Sequence, residues 1–294
     1  MSMVAVATLT ASAPDATAQL YFYEPFDYAD GSNILGQNGG TGFTTPWGLQ
    51  SGTLSGQAFT AVGGSLAGPA GLPTLGGHAF LTGQFGTLQA RRSFANVLGS
   101  DGTTTWYSFI GQRQGPTGTN LPDNPYGRGV NIGLFDTEAT ANAARQERIG
   151  VGNNSNAALN EWALFAEGQG GAGFRAGSGV PYNELHWAVV KIVHHGDHTV
   201  ADDVYLWLDP DPNVEPAEGA ALASLIGAYD YSNLDFLRPF VGNTSGGNTY
   251  GELLVDEIRL GGDYASMSAV PEPSALALLG IGALSFFVRR RQTR

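Results

Sequence analysis

The sequence predicts an all-β fold built from two packed antiparallel sheets. Three observations carry that expectation. Glycine is very frequent, at 43 of 294 residues, and turn signals recur about every ten residues between positions 19 and 265. Hydrophobic residues make up 42% and aromatic residues 11% of the chain, too much for a disordered polymer. Sustained helical periodicity is nearly missing, and no repeat of fixed period suggests a propeller or solenoid.

The strands follow in chain order. Trp106-Tyr107-Ser108-Phe109-Ile110 is an aromatic and β-branched run. Residues 139 to 148 break the pattern and read as a short polar helix or loop. Glu161 to Ala166 alternates Trp162, Leu164 and Ala166 against Ala163 and Phe165. His186 to His194 has a Val/Ile-rich centre, and Val204 to Leu208 alternates Val204, Leu206 and Leu208 against Tyr205 and Trp207. These two segments are joined by polar residues 194–199, whose Gly196-Asp197 suits a hairpin. Glu252 to Leu260 closes the set before Gly261-Gly262. About 250 residues arranged this way suffice for one large sandwich.

Charge narrows the partners. The formal net charge is −12, and four of the 14 basic residues, Arg289, Arg290, Arg291 and Arg294, lie in the last six positions. The rest of the chain is therefore still more acidic, and such a surface repels nucleic-acid backbones. Lys191 is the only lysine, and the absence of cysteine excludes disulfides and thiolate metal sites.

The two ends point to export. Val270-Pro271-Glu272-Pro273-Ser274 cannot be helical, because each proline fixes its own φ and biases its predecessor. An uncharged apolar run follows within 274–288, then Arg289, Arg290 and Arg291. An apolar helix closed by cations is held in a bilayer with its basic end in the cytoplasm. Fifteen residues fall short of the ~20 of a full span. At the N-terminus, Ala16-Thr17-Ala18 before Gln19 fits a small-x-small cleavage site, so residues 1–18 read as a signal peptide, although no basic n-region precedes it. The organisation expected is a signal segment at 1–18, a sandwich at 19–265, and a sorting segment at 266–294.

Pro271-Glu272-Pro273, the apolar run and the arginine cluster resemble the PEP-CTERM sorting signal. That resemblance implies export, recognition by an exosortase-type enzyme, a transient inner-membrane stage through the C-terminal helix, and release or transfer to the cell surface, outer envelope or extracellular matrix. A second resemblance covers the body. Tyr23-Glu24-Pro25-Phe26-Asp27-Tyr28, the glycine-rich stretch 36–42, Trp47, Val204 to Pro210 and Leu254 to Leu260 are similar to concanavalin A-like and laminin-G-like jelly-roll domains. Such lectin-like domains pair their first and last strands, which implies that Phe26 comes near Ile258.

No catalytic constellation stands out. A sandwich glycosidase needs two carboxylates at one of two fixed separations, as in Glu-x-Asp-x-x-Glu, and that spacing is missing. Glu252, Asp256 and Glu257 share the last strand, but strict alternation sets 252 and 257 on opposite faces. No Gly-x-Ser-x-Gly elbow or phosphate loop is present. His194-His195-x-x-His198 could converge on Zn²⁺ or Ni²⁺, although alternation separates the first two imidazoles, and a polar hairpin tip is the simpler reading. Calcium favours hard oxygens in flexible loops, for which Asp202, Asp203 and Asp256 are the candidates, with Asp209, Asp211 and Asn243 as further contributors. No cofactor is required, and solvated turns account for the same residues. Trp207, out of phase with its aliphatic neighbours, is the candidate sugar-stacking ring, with packing as the alternative. The expectation is an exported surface or matrix protein, a non-catalytic carbohydrate-binding or structural sandwich engaging extracellular polysaccharide. The alternative is a polysaccharide-active hydrolase or lyase on the same scaffold.

Overall fold

A computed structural model describes residues 18–51, 58–114, 129–136, 148–153, 161–167, 174–196, 200–231, 233–243 and 250–269. The described residues form strands β1 (Leu20–Glu24), β2 (Gly48–Ser51), β3 (Phe59–Val62), β4 (His78–Thr82), β5 (Leu88–Leu98), β6 (Thr104–Gln114) and β7 (Val130–Asp136). They continue with β8 (Arg148–Asn153), β9 (Glu161–Glu167), β10 (Phe174–Pro181), β11 (His186–Val193), β12 (Asp202–Leu208), β13 (Ala223–Tyr229), β14 (Leu234–Val241) and β15 (Glu252–Gly261). The polar segment expected over 139–148 falls outside the described residues except for Arg148, which already opens β8. The sorting segment from position 270 onward, with its apolar helix 274–288, also falls outside them. Among the described residues no helix is long and apolar enough to cross a membrane.

Two antiparallel sheets stack face to face. The first has the order β13-β12-β11-β6-β15-β4-β3, with β1 also paired to β15, and the second runs β10-β9-β8-β7-β14-β5-β2. The first and last strands do pair, with Glu24 opposite Ile258 and Tyr23 opposite Arg259. The expected hairpin also forms, setting Ala188 against Leu208 and Ile192 against Val204. Between the sheets lie alternate residues of each strand, among them Tyr107, Ile132, Leu134, Trp162, Val190, Leu206, Leu237 and Val255.

The first sheet is also covered on its outer side, which explains why β11 is a continuous apolar run. Ala188, Val190 and Ile192 enter the sandwich, while Trp187 and Val189 join a second cluster with Leu72, Trp106, Ile110, Trp207, Tyr264 and Met267. A strand buried on both faces needs no alternation.

The N-terminal residues that carried the jelly-roll resemblance form a sealed knot with Arg92 of β5. Arg92 pairs with Glu24 at side-chain exposures of 1% and 0%. The Glu24 carboxylate also accepts from Trp47 Nε1 at 2.9 Å, Tyr28 OH at 2.9 Å and the Phe26 amide at 3.0 Å. Arg92 further donates to Asn38 Oδ1 at 2.8 Å and lies 3.9 Å from the Phe43 ring centroid. Buried ions persist only when paired and fully hydrogen-bonded, and this pair is. The glycine-rich stretch has a specific task there. Gly42, at φ 80°, sits against the Tyr21 carbonyl where a Cβ would collide.

Candidate functional site

The ring expected to stack on a sugar is packed instead. Trp207 does face away from the sandwich, as its phase implied, but it is only 4% exposed. It stacks on Trp106 at 5.7 Å and on Tyr205 at 6.0 Å, and its Nε1 donates to the Ala217 carbonyl at 3.2 Å. The physical reason is the apolar outer face of the first sheet, which has its own cover of residues 209–222 and the Tyr264–Met267 turn. A groove of about 420 Å³ along Trp207, Pro210, Val214 and Leu222 remains at the edge of that cover.

The calcium candidates do not converge. Asp202 accepts from His194 Nδ1 at 2.8 Å, the His195 amide at 3.1 Å and the Tyr231 amide at 3.0 Å. Asp203 accepts from the Gly227 amide at 2.8 Å and lies 3.1 Å from His195 Nε2. Asp256 is three strands away, opposite Ile110, while Asp203 lies at the other end of the β6 register, beyond Val193 and Thr104. The separation along the strands alone is about 20 Å. Asp211 accepts from the Asn213 amide in its own turn, whereas Asp209 accepts from the Trp187 amide on the paired strand and Asn243 donates to the distant Gly83 carbonyl. Among the described residues no three His, Asp or Glu side chains are grouped to hold a metal. His194 and His195 pair with different aspartates, and His194 Nε2 meets Thr105 Oγ1 at 3.0 Å. His198 is outside the described residues.

The acids of β15 form a clasp. A bulge shifts the register between Asp256 and Arg259, and Glu257 takes φ 53°. That places Glu257 on the same side as Asp256, and hence as Glu252, which strict alternation does not anticipate. Asp256 accepts from the Leu66 amide at 2.8 Å and the Glu257 amide at 2.7 Å. Glu257 accepts from the Leu75 amide, Tyr23 OH at 2.8 Å and Arg259 at 2.6 Å, while Arg259 donates to the Pro73 carbonyl at 2.6 Å. These bonds pin segment 66–75 over the first sheet. Burial, with the neighbouring Glu257 charge, pushes the Asp256 carboxyl up to about 8. Burial raises Glu257 as well. These carboxyls are buried and bonded to backbone, so they are structural fixtures.

The outer face of the second sheet is also buried over much of its area, with Phe165, Phe236 and Asn131 at 1%, 0% and 4% exposure, and no single stretch of sequence reveals it. Its inner side packs Leu88, Ala90, Ile132, Leu134, Val151, Leu164 and Leu237 into the core. The alternate positions carry Gln89, Arg91, Asn131, Gly133, Phe135, Gly150, Phe165, Phe236, Arg238 and Phe240. Gly133 stands opposite Gly150, and Gly150 opposite Phe165. A Cβ at Gly150 would strike the Phe165 ring, and one at Gly133 would press on the Phe135 ring, so bare backbone leaves room for rings laid along the sheet. Phe135 stacks on Phe236 at 5.4 Å, and the Arg238 guanidinium lies 3.6 Å from the Phe135 centroid. Arg238 Nη1 donates to Gln50 Oε1 and to Gln89 Oε1, each at 3.2 Å. Phe135 and Arg238 are buried, whereas Gln50, Gln89, Arg91 and Phe240 are half-buried along the β2–β5–β14 side. That side presents amides, guanidinium and a ring edge to solvent.

Comparisons with known proteins address the tail and the scaffold. Residues 269–291 match the PEP-CTERM protein-sorting motif. The chain therefore carries a signal for export to the cell surface or extracellular space, with processing by an exosortase-type enzyme. No curated protein sequence matches the chain. Among solved structures it is similar to a non-specific endo-beta-1,3(4)-glucanase from family GH16, at TM-score 0.46 and 8% identity over 84% of this chain and 96% of that one. It is similar also to an alginate lyase, at 0.43 and 12% over 83% and 97%. Lectin II from Ulex europaeus gives 0.36 and 8% over 60% and 82%.

Proposed function

We propose that the exported body is a non-catalytic carbohydrate-binding sandwich that engages extracellular polysaccharide through the β2–β5–β14 side of the second sheet's outer face. One observation carries this reading. Two planar amides, Gln50 and Gln89, are fixed by a shared guanidinium, Arg238, and Phe240 lies within 5.9 Å of that guanidinium. Sugars offer arrays of hydroxyls and apolar C–H faces. Fixed amides supply donors and acceptors for the first, an aromatic ring supports the second, and side chains already immobilised lose little entropy on binding.

The test is a glycan array read for binding and for released products with the purified body. Retention of a polysaccharide without product, weakened at least tenfold by Gln89→Ala and by Phe240→Ala at unchanged Tm, is the expected result. Release of oligosaccharides would transfer the reading to a polysaccharide-active hydrolase or lyase on the same scaffold. Binding indifferent to both substitutions would move it to another face.

A further inference from the structure

We infer that export creates a charged site on this chain: cleavage after Ala18 frees the α-ammonium of Gln19, and Asp263 receives it, fastening the mature N-terminus to the turn before the sorting motif. The inference rests on the signal segment read at 1–18 and does not depend on the sugar-binding reading.

Two independent observations coincide at the Ala18–Gln19 bond. In the sequence, Ala16 and Ala18 set small side chains at alternate positions before Gln19, the pattern that signal peptidases read. In the structure, the sheet begins just after that bond. Strand β1 opens at Leu20, opposite Gly261 at the end of β15, and the Gly262 amide donates to the Gln19 carbonyl at 2.9 Å. Cutting after Ala18 therefore removes no rung of the β1–β15 ladder. Hydrolysis adds the hydroxyl of water to the Ala18 carbonyl carbon and leaves the Gln19 nitrogen as a primary amine. That amine takes a proton from solvent at neutral pH, since a free α-amine ordinarily titrates at about 7.7–8.0.

The nitrogen already stands where its new charge is needed. Gln19 N donates to Asp263 Oδ2 at 3.1 Å, across 244 positions of sequence. Before cleavage this is an amide donating to a carboxylate, and afterwards the same two atoms carry opposite full charges. The carboxylate is held from behind, because Asp263 Oδ1 accepts from the Ser266 amide at 2.9 Å and from Ser266 Oγ at 2.6 Å. Among the described residues no Lys, Arg or His side chain pairs with Asp263. The titratable group beside it is the Tyr21 hydroxyl, raised by burial first and by the Asp263 charge second. The new ammonium thus supplies the counterion that this carboxylate lacks. The site is open, with Gln19 exposed and Asp263 half-buried, and the Gln19 side chain lies against Gly262, where a Cβ would meet its Oε1.

The contact also sets the geometry of export. From Asp263 the chain needs only the Tyr264–Met267 turn to reach residue 269, where the sorting motif begins. Leader and tail therefore depart from the same corner of the body, and a body still held by both would show that corner to the membrane.

The test uses mature protein isolated from the producing cell. N-terminal sequencing should return Gln19 with a free amine. Lys191 is the only lysine, so an amine-reactive reagent meets just two amines in the mature protein, and reductive methylation with isotopically labelled formaldehyde gives each its own NMR signal. The α-amine signal should titrate above the ordinary range of about 7.7–8.0, because a neighbouring carboxylate favours the charged form. Asp263→Asn keeps the oxygen that Ser266 uses and removes the charge. It should return the titration to the ordinary range, speed labelling of the α-amine at neutral pH by about threefold, and leave the Lys191 signal unmoved. A mature N-terminus at any other residue would overturn the site. So would a Gln19 end cyclised by attack of its amine on its own side-chain carbonyl carbon with loss of ammonia, since that ring closure needs the unprotonated amine. A wild-type α-amine titrating in the ordinary range would overturn Asp263 as its partner, whether or not the variant folds.

Discussion

The buried charges decide how individual residues respond to substitution and to pH. Glu24 is raised by burial against the opposing pull of Arg92 and its hydrogen-bond donors, and its partner is sealed with it. Glu24→Gln keeps the shape and removes the charge, leaving Arg92 buried without its counterion. Breaking a buried pair from one side costs about 3–5 kcal/mol. Urea unfolding at pH 7 should show a loss of that order, and a loss below about 1 kcal/mol, the scale of an exposed pair, would contradict the sealing. Asp256 gives a pH signature. Its carboxyl moves from an ordinary 3.8 to about 8 in the fold, through burial first and the Glu257 charge second. A raised carboxyl means that the fold binds the extra proton between those values. Its stabilising contribution is therefore complete below about pH 4 and is lost as pH climbs through about 8. The body's Tm should decline across that window, and Asp256→Asn should flatten the decline while lowering the acid-side Tm, because one of two backbone amides then faces an NH₂ group. An equally steep profile in the variant would assign the slope to other groups.

At the scale of elements, two glycines with nearly the same backbone test what the knot around β1 demands. Gly42 and Gly64 have φ of 80° and 83°, so alanine is strained at either by about 1–2 kcal/mol. At Gly64 nothing lies within 4 Å of the added methyl, whereas at Gly42 it meets the Tyr21 carbonyl and Phe22. Gly64→Ala should therefore cost only the strain, and Gly42→Ala should exceed the ~4–5 kcal/mol that marks an exceptional substitution, read by chemical denaturation. Similar losses at both would mean that β1 can shift away from residue 42. The same elements show what the sequence makes legible. The alternation of β12, the apolar centre of β11 and the closing run of β15 are local signals, and those strands are where the sequence places them. Strands β7 and β8 escape because Gly133, Gly150 and Gly152 interrupt their outer-face pattern, and it is the fold that makes those gaps useful. Trp207 has the phase expected of it, but phase says nothing about the cover that segment 209–222 lays over it. The proposed binding face is invisible in one dimension. Gln50, Gln89 and Arg238 lie on three strands spread over nearly two hundred positions, and only the register of β2, β5 and β14 makes them neighbours.

For the whole molecule, the expected order of events at the C-terminus follows from how the last described residues pack. After β15, which lies between β6 and β4 in the first sheet, the chain makes one turn whose Tyr264 and Met267 cluster with Trp106 and Trp187. Tyr264 OH donates to the Asp211 carbonyl at 2.7 Å, and Ser268 Oγ donates to the Pro212 carbonyl at 3.1 Å. The sorting motif begins at the next residue, 269. The described core is in place by the residue where the motif starts, which predicts that the body folds independently of the tail. Two outcomes follow. Body ending at residue 269 should melt with the full chain, whereas ending at residue 263 should lower Tm sharply, since it uncovers two tryptophans at about 1.5–3 kcal/mol for each large apolar side chain removed. In the producing cell, replacing Pro271, Glu272 and Pro273 by alanine should leave folded body in the membrane fraction, and mass spectrometry of the mature wild-type protein should find residues 289–291 gone. Arg294 retained on mature surface protein would mean that the apolar segment is a permanent anchor rather than a processing intermediate.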